Sequence, residues 1–155
     1  MFKLPIEAIE WTNSISKKEP LKLGFDSYYL FFLAGLLAQD RRTIKDEDTT
    51  IPQRDVIKNF PDEYNASQRL IINLLLITEK KLRAIPDDDK VRLRSELLEK
   101  YINPENNSLT LEGFNLANSY AYGGYRILEE KMPKPEDPAA FMTSYLSILK
   151  QIEKK

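Results

Sequence analysis

The chain has 155 residues, with 23 basic and 24 acidic side chains, and it contains no histidine and no cysteine. Those absences exclude the side chains that carry most zinc sites, all disulfides, and most nucleophilic or near-neutral acid-base catalysis. A formal net charge of −1 excludes a whole-molecule field that would attract nucleic acid or an anionic membrane. The length and a hydrophobic content of 42% predict one folded domain with its own core.

The first predicted helix runs from Pro5 to Lys18, because proline suits a first turn and isoleucines recur at helical spacing. A second helix is capped by Asp26 or Ser27 and continues to about Arg42. Its aromatic content would also suit a strand. However, it is rich in leucine and alanine and has no valine or isoleucine, which favours a helix.

Residues 43–61 lack helical periodicity and contain Pro52 and Pro61. We predict a mobile connection here, with at most a short helical turn around residues 54–59.

The third helix is predicted to follow Asp62 and to continue to about Ala84. Its middle, residues 70–77, is apolar on nearly all sides except at Asn73. A helix with apolar residues all round is typically buried, so we expect this part to be central to the fold.

The last three helices are predicted over residues 87–102, from Ser108 or Thr110 to about 131, and over 138–153. Six helices and no predicted strand indicate the all-α class. We expect one compact bundle of about six helices that forms a single domain over residues 1–155.

Gly123 and Gly124 are adjacent inside the predicted fifth helix, which costs up to about 2 kcal/mol relative to alanine. One interpretation is that the small residues let another helix approach closely. The other is that the helix unwinds, so that backbone amides, nearby tyrosines and Arg126 surround a small anionic ligand. Close packing is favoured, since Gly124 shares a regular stripe with two alanines, Ala117 and Ala121.

The longest apolar stretch, Tyr28 to Ala38, has eleven residues, well short of the roughly 20 that span a bilayer. It carries more large aromatics than one narrow stripe can bury, so either other helices surround it or part of it meets a partner protein. The residues predicted for such a protein interface are Tyr28, Phe31, Phe32, Tyr122, Tyr125 and Arg126.

A modest basic group lies around the second connection and could bind phosphates. Its members are Arg41, Arg42, Lys45, Arg54, Lys58 and Arg69. Interleaved acids cancel most of its field, so nucleic-acid binding is the alternative hypothesis.

The candidate metal-binding segments do not have the residue spacing that known metal sites require. Segments starting at Asp46, Asp87 and Asn103 lack the sixth-position glycine and the twelfth-position glutamate of a calcium loop. Bundle-type di-metal sites need a Glu-x-x-His pair, and phosphate-binding or hydrolase glycine motifs are missing. We expect no metal, no cofactor and no enzymatic activity; an enzyme with a metal held by carboxylates alone is the remaining catalytic alternative.

These patterns predict a non-enzymatic helical interaction module: an adaptor, an accessory subunit of a multiprotein complex, or a self-associating protein. The first residues have no apolar signal core, and zero cysteines fit a reducing compartment. We therefore expect a cytoplasmic protein that binds no membrane.

Overall fold

The computed structural model describes residues 1–43, 51–83 and 89–154, apart from the Lys90 side chain. These ranges contain six α-helices: α1 (Ile6–Trp11), α2 (Gly24–Ala38), α3 (Gln68–Leu82), α4 (Lys90–Tyr101), α5 (Leu111–Lys131) and α6 (Pro138–Glu153). They also contain four short strands: β1 (Phe2–Pro5), β2 (Gln53–Ile57), β3 (Ile102–Asn103) and β4 (Ser108–Leu109). The structure is 62% helical, so the helical prediction is confirmed, but the chain is mainly α with two small antiparallel sheets rather than all-α.

Helices α2 and α5 form the centre of the fold because glycines let their backbones touch. A methyl group added at Gly124 would lie 1.7 Å from the Phe31 carbonyl oxygen, and one added at Gly35 would lie 1.9 Å from the Tyr120 carbonyl oxygen. A methyl group added at Gly123 would lie 2.0 Å from the Asp40 carbonyl oxygen. α5 continues unbroken through both of its central glycines. The glycines therefore bring α5 close to α2, and the helix does not unwind at them.

The aromatic face of α2 is buried within the chain. Tyr28, Phe31 and Phe32 are each at most 2% exposed. α5, α6, α3 and β2 all contact this helix, and the Tyr145 hydroxyl of α6 donates to the Leu30 carbonyl oxygen at 2.7 Å. Surrounding helices thus take up the aromatics that one stripe alone could not bury.

The sequence-based prediction missed the sheet formed by β1 and β2. Its antiparallel register pairs Leu4 with Arg54 and Lys3 with Asp55, with a bulge next to Phe2. Phe2 and Leu4 are buried while Lys3 between them is not, which is the alternation of a strand. The prediction of a helical turn around residues 54–59 is wrong, because β2 occupies most of that segment. The predicted mobile connection also covers residues 44–50, which lie outside the described ranges.

The helix ends differ from prediction where the backbone turns early. α1 ends at Trp11, not Lys18. α2 starts at Gly24 and ends at Ala38, because Gln39 adopts a left-handed φ of 53°. In contrast, α6 has the predicted bounds, and the Thr110 hydroxyl caps α5 by accepting from the Gly113 amide at 3.1 Å.

Candidate protein-binding surface

Helix α3 lies at the edge of the fold, although its middle is apolar on nearly all sides. Its inner face packs Ile71, Ile72 and Leu75 into the core. On its outer face, Leu70 is 57% exposed and Ile77 is 50% exposed. The expectation of a central position is therefore wrong: α2 and α5 occupy the centre, and α3 leaves one apolar side facing solvent.

A groove of about 350 Å³ runs between α3 and α4. We call it the α3–α4 groove, and its lining residues are Asn73, Leu76, Ile77, Lys80, Arg94, Leu97 and Leu98. The four residues from α3 lie at positions i, i+3, i+4 and i+7, and the three from α4 lie at i, i+3 and i+4, so each set is on one helix face. Two amphipathic faces thus meet to form one continuous trough.

α4 contributes both the support and the exposed wall of this groove. Leu93 and Leu97 are 3% exposed and hold the helix against the core. Leu98 is 41% exposed and Val91, seven residues earlier on the same stripe, is 80% exposed. The apolar stripe of α4 therefore extends beyond the groove towards the beginning of the helix.

Two basic side chains, Lys80 and Arg94, line the groove. Among the residues that the structure describes, no acidic side chain lines it. The one acid of α3, Glu79, has no exposed surface. On α4, Glu96 is paired with Arg92 at 3.1 Å, and its position is about 160° around the helix from that of Arg94.

A buried polar cluster holds the carboxyl-terminal end of α3 in place. Glu79 Oε1 accepts hydrogen bonds of 2.6 Å from both the Tyr120 hydroxyl and Arg41 Nη1. Arg83 Nε lies 3.5 Å from Glu79 Oε2, and Arg83 Nη2 donates to the Tyr101 hydroxyl at 3.1 Å. Burial, followed by the Glu79 carboxylate, raises the pKa of Tyr120 well above its usual range. The phenol therefore stays protonated and keeps donating.

Sequence reasoning missed this cluster because its partners are far apart in the chain: Arg41 and Tyr120 are 38 and 41 residues from Glu79. One local signal was present. Glu79 follows Ile71 and Leu75 at intervals of four, so it lies on the buried stripe of α3. A lone acid on an apolar stripe predicts a buried, paired carboxylate.

The residues predicted for a protein interface lie mostly in the core of this chain. Tyr28, Phe31, Phe32 and Tyr125 are at most 3% exposed. Tyr122 is half-buried, and so is Arg126, which pairs with Glu129 at 3.3 Å. Of these six predicted interface residues, Tyr122 and Arg126 are the two that a partner protein could contact.

The basic residues predicted for nucleic-acid binding are spread over several elements. Arg41 pairs with Glu79, and Arg42 Nη2 lies 3.4 Å from Asp40. Arg54 is on β2 and the exposed Lys58 follows that strand. Arg69 is an exposed residue of α3. Lys45 lies outside the described residues.

Within residues 1–43, 51–83 and 89–154, no helix combines the length and apolar character needed to cross a membrane. The same part of the chain brings no three acidic side chains together in a way that could hold a metal ion. Comparison of the chain with protein-family models, curated proteins and solved structures finds no match.

Proposed function

We propose that this chain is a non-enzymatic interaction module that binds a partner protein on the α3–α4 groove. The observation that carries the proposal is the exposed apolar surface beside and within the groove. Its members are Leu70, Ile77, Val91 and Leu98. Completing the burial of a half-exposed aliphatic side chain contributes about 1 kcal/mol. Four such residues offer a partner a useful gain in binding free energy.

Isolated exposed leucines are ordinary on protein surfaces and need no explanation. Leu111 on α5 and Leu146 on α6 fit that description, because each is the one large apolar side chain that its helix exposes within the described residues. α3 and α4 differ from α5 and α6, since each exposes two large apolar side chains on one stripe. The stripes also flank a single groove, which supports a docking surface.

Replacement of the groove's apolar wall tests the proposal. The double variant Ile77→Gln/Leu98→Gln changes two exposed residues to a good helix former, so its folding should be retained. The matched control is Leu146→Gln, since Leu146 is 52% exposed on α6, against 50% for Ile77. Wild type and control should copurify the same partner from native cells, and the double variant should lose it.

Two results would overturn this function. One is a partner that the double variant retains or that the control loses equally. The other is the absence of any specific partner for the wild-type chain. Equal denaturation midpoints for the three proteins would establish that lost binding is not lost folding.

Nucleic-acid binding remains an alternative with weaker support, because Arg41 and Arg42 each already face a carboxylate. If it were the function, affinity would fall steeply with salt. A fluorescence titration with single-stranded RNA and DNA that finds no binding at low salt removes this alternative.

A further inference from the structure

We infer that the α3–α4 groove binds an acidic amphipathic helix of a partner protein; this rests on the proposed function and names the chemistry of the partner. A helix laid into an apolar groove is a common recognition mode, in which apolar residues at helical spacing fill the trough. Both the shape and the charge of this groove fit such an occupant.

The shape suits about two helical turns. From Asn73 to Lys80 the α3 wall rises about 10 Å, at 1.5 Å per residue. Apolar residues at i, i+4 and i+7 of a docked helix span the same rise of about 10 Å. Their side chains would therefore lie along this groove of about 350 Å³.

The basic residues that line the groove favour an occupant with acidic side chains beside its apolar residues. Lys80 and Arg94 lie in the lining itself, one on each wall. Arg69 adds a third cation on the same side of α3, four residues before Asn73. The neighbouring Glu79 carboxylate is buried and paired with Arg41 and Tyr120, so it does not oppose this charge. A basic occupant would meet like charges on both walls, which complementary interfaces avoid.

A second copy of this chain fits less well. Two grooves placed face to face would bring like charges together. The exposed Leu146 lies on α6, which has no acidic side chain between Pro138 and Ile152 and carries Lys150. A nucleic acid would engage the cations but would leave the apolar walls uncovered.

The test is a selection from displayed helical peptides of about 14 residues. Leucines are fixed at i, i+4 and i+7, and the flanking positions are randomised among glutamate, lysine and glutamine. Selection on the wild-type chain should enrich glutamate. Selection on Lys80→Glu/Arg94→Glu should enrich lysine instead, while the control Lys150→Glu, an exposed charge reversal on α6, should leave the preference for glutamate unchanged.

The charge-reversed groove should weaken the best acidic peptide at least tenfold at low salt, and the effect should shrink as salt rises. Ile77→Gln/Leu98→Gln should abolish its binding. Three outcomes would overturn the inference. The wild-type chain could enrich neutral or basic flanks, it could enrich no peptide, or the reversed groove could show the same preference as the wild type. A second copy as occupant would instead appear as a concentration-dependent dimer in sedimentation, which Ile77→Gln/Leu98→Gln would abolish.

The inference and the proposed function fail separately. A native partner that depends on Ile77 and Leu98 but ignores the charge reversal would retain the function and reject the acidic helix. Acidic peptides that bind the groove, with no native partner that depends on it, would leave the charge preference intact and reject the function.

Discussion

Tyr120 on α5 and Glu79 on α3 are joined by a hydrogen bond of 2.6 Å, in which the phenol donates to a carboxylate with no exposed surface. This bond ties the edge helix that carries the candidate surface to the central helix pair. A buried carboxylate is costly unless it is paired and hydrogen-bonded. We therefore expect the cluster around Glu79 to determine how firmly α3 is held.

Tyr120→Phe should destabilise the protein by about 2 kcal/mol, because it removes a hydrogen bond to a charged acceptor at a buried site. Urea unfolding followed by circular dichroism measures this change. The control is Tyr122→Phe, since Tyr122 is half-buried and has no side-chain hydrogen bond to another described residue; it should shift stability by less than about 0.5 kcal/mol. Equal effects of the two variants would contradict the role given to the Glu79 cluster.

Gly124→Ala should destabilise by about 3 kcal/mol or more, because its methyl group would lie 1.7 Å from the Phe31 carbonyl oxygen and force α2 and α5 apart. Gly24→Ala is the matched substitution. A methyl group there meets nothing within 4 Å in the first turn of α2, so it should stabilise by about 0.5 to 1 kcal/mol. Thermal denaturation of both variants should give shifts of opposite sign; a tolerated Gly124→Ala would contradict the close approach of these helices.

Stability should fall at alkaline pH. Burial raises the pKa of six tyrosines and is the largest cause of each shift. The pKa of Tyr125 is raised to about 12 by burial, followed by the carboxylates of Glu7 and Glu129. The full set is Tyr28, Tyr29, Tyr64, Tyr120, Tyr125 and Tyr145. Unfolded tyrosines release their protons near pH 10, so the folded state binds more protons above that pH. The stability that these buried phenols contribute is complete below about pH 10 and is lost as the pH rises towards 12.

Urea unfolding between about pH 8 and pH 11.5 measures this loss, and absorbance at 295 nm should record tyrosine ionisation shifted upward in the folded chain. A free energy of unfolding that stays constant over this range would contradict the burial of these phenols.

Asn118→Ala should destabilise by about 2 kcal/mol. The Asn118 side-chain oxygen accepts from the Tyr28 hydroxyl at 2.8 Å and from the Lys3 amide at 3.0 Å, so it links α5 to α2 and to β1. Its removal leaves the Tyr28 hydroxyl, on a fully buried ring, without this acceptor. Asn115→Ala, on an exposed position of α5, is the control and should be neutral or slightly stabilising in the same urea titration. A neutral Asn118→Ala would mean that this junction does not hold β1.

The helices with local signals are those that the sequence predicts best. α5 and α6 combine helical periodicity with side-chain caps, Thr110 accepting from Gly113 and Asp137 accepting from Ala140. The sheet had no comparable signal. Its four-residue strand β1 pairs with a strand about 50 residues later, and a β1 this short shows only two cycles of alternation.

The candidate surface could be predicted only in part. The apolar circumference of residues 70–77 is visible in the sequence, but it indicated a central helix. Which helix takes the centre depends on contacts between distant glycines, Gly35 with Gly124 above all. Because those contacts place α2 and α5 together, α3 is left at the edge with Leu70 and Ile77 exposed.

The most direct test of the docking surface is site-specific photo-crosslinking in native cells. A photoreactive phenylalanine derivative placed at Ile77, and in a second protein at Leu146, samples two equally exposed apolar positions on different faces. We expect a discrete crosslinked partner from position 77 that disappears when Leu98→Gln is added, and none from position 146. No crosslink at position 77, or the same crosslinks from both positions, would contradict it.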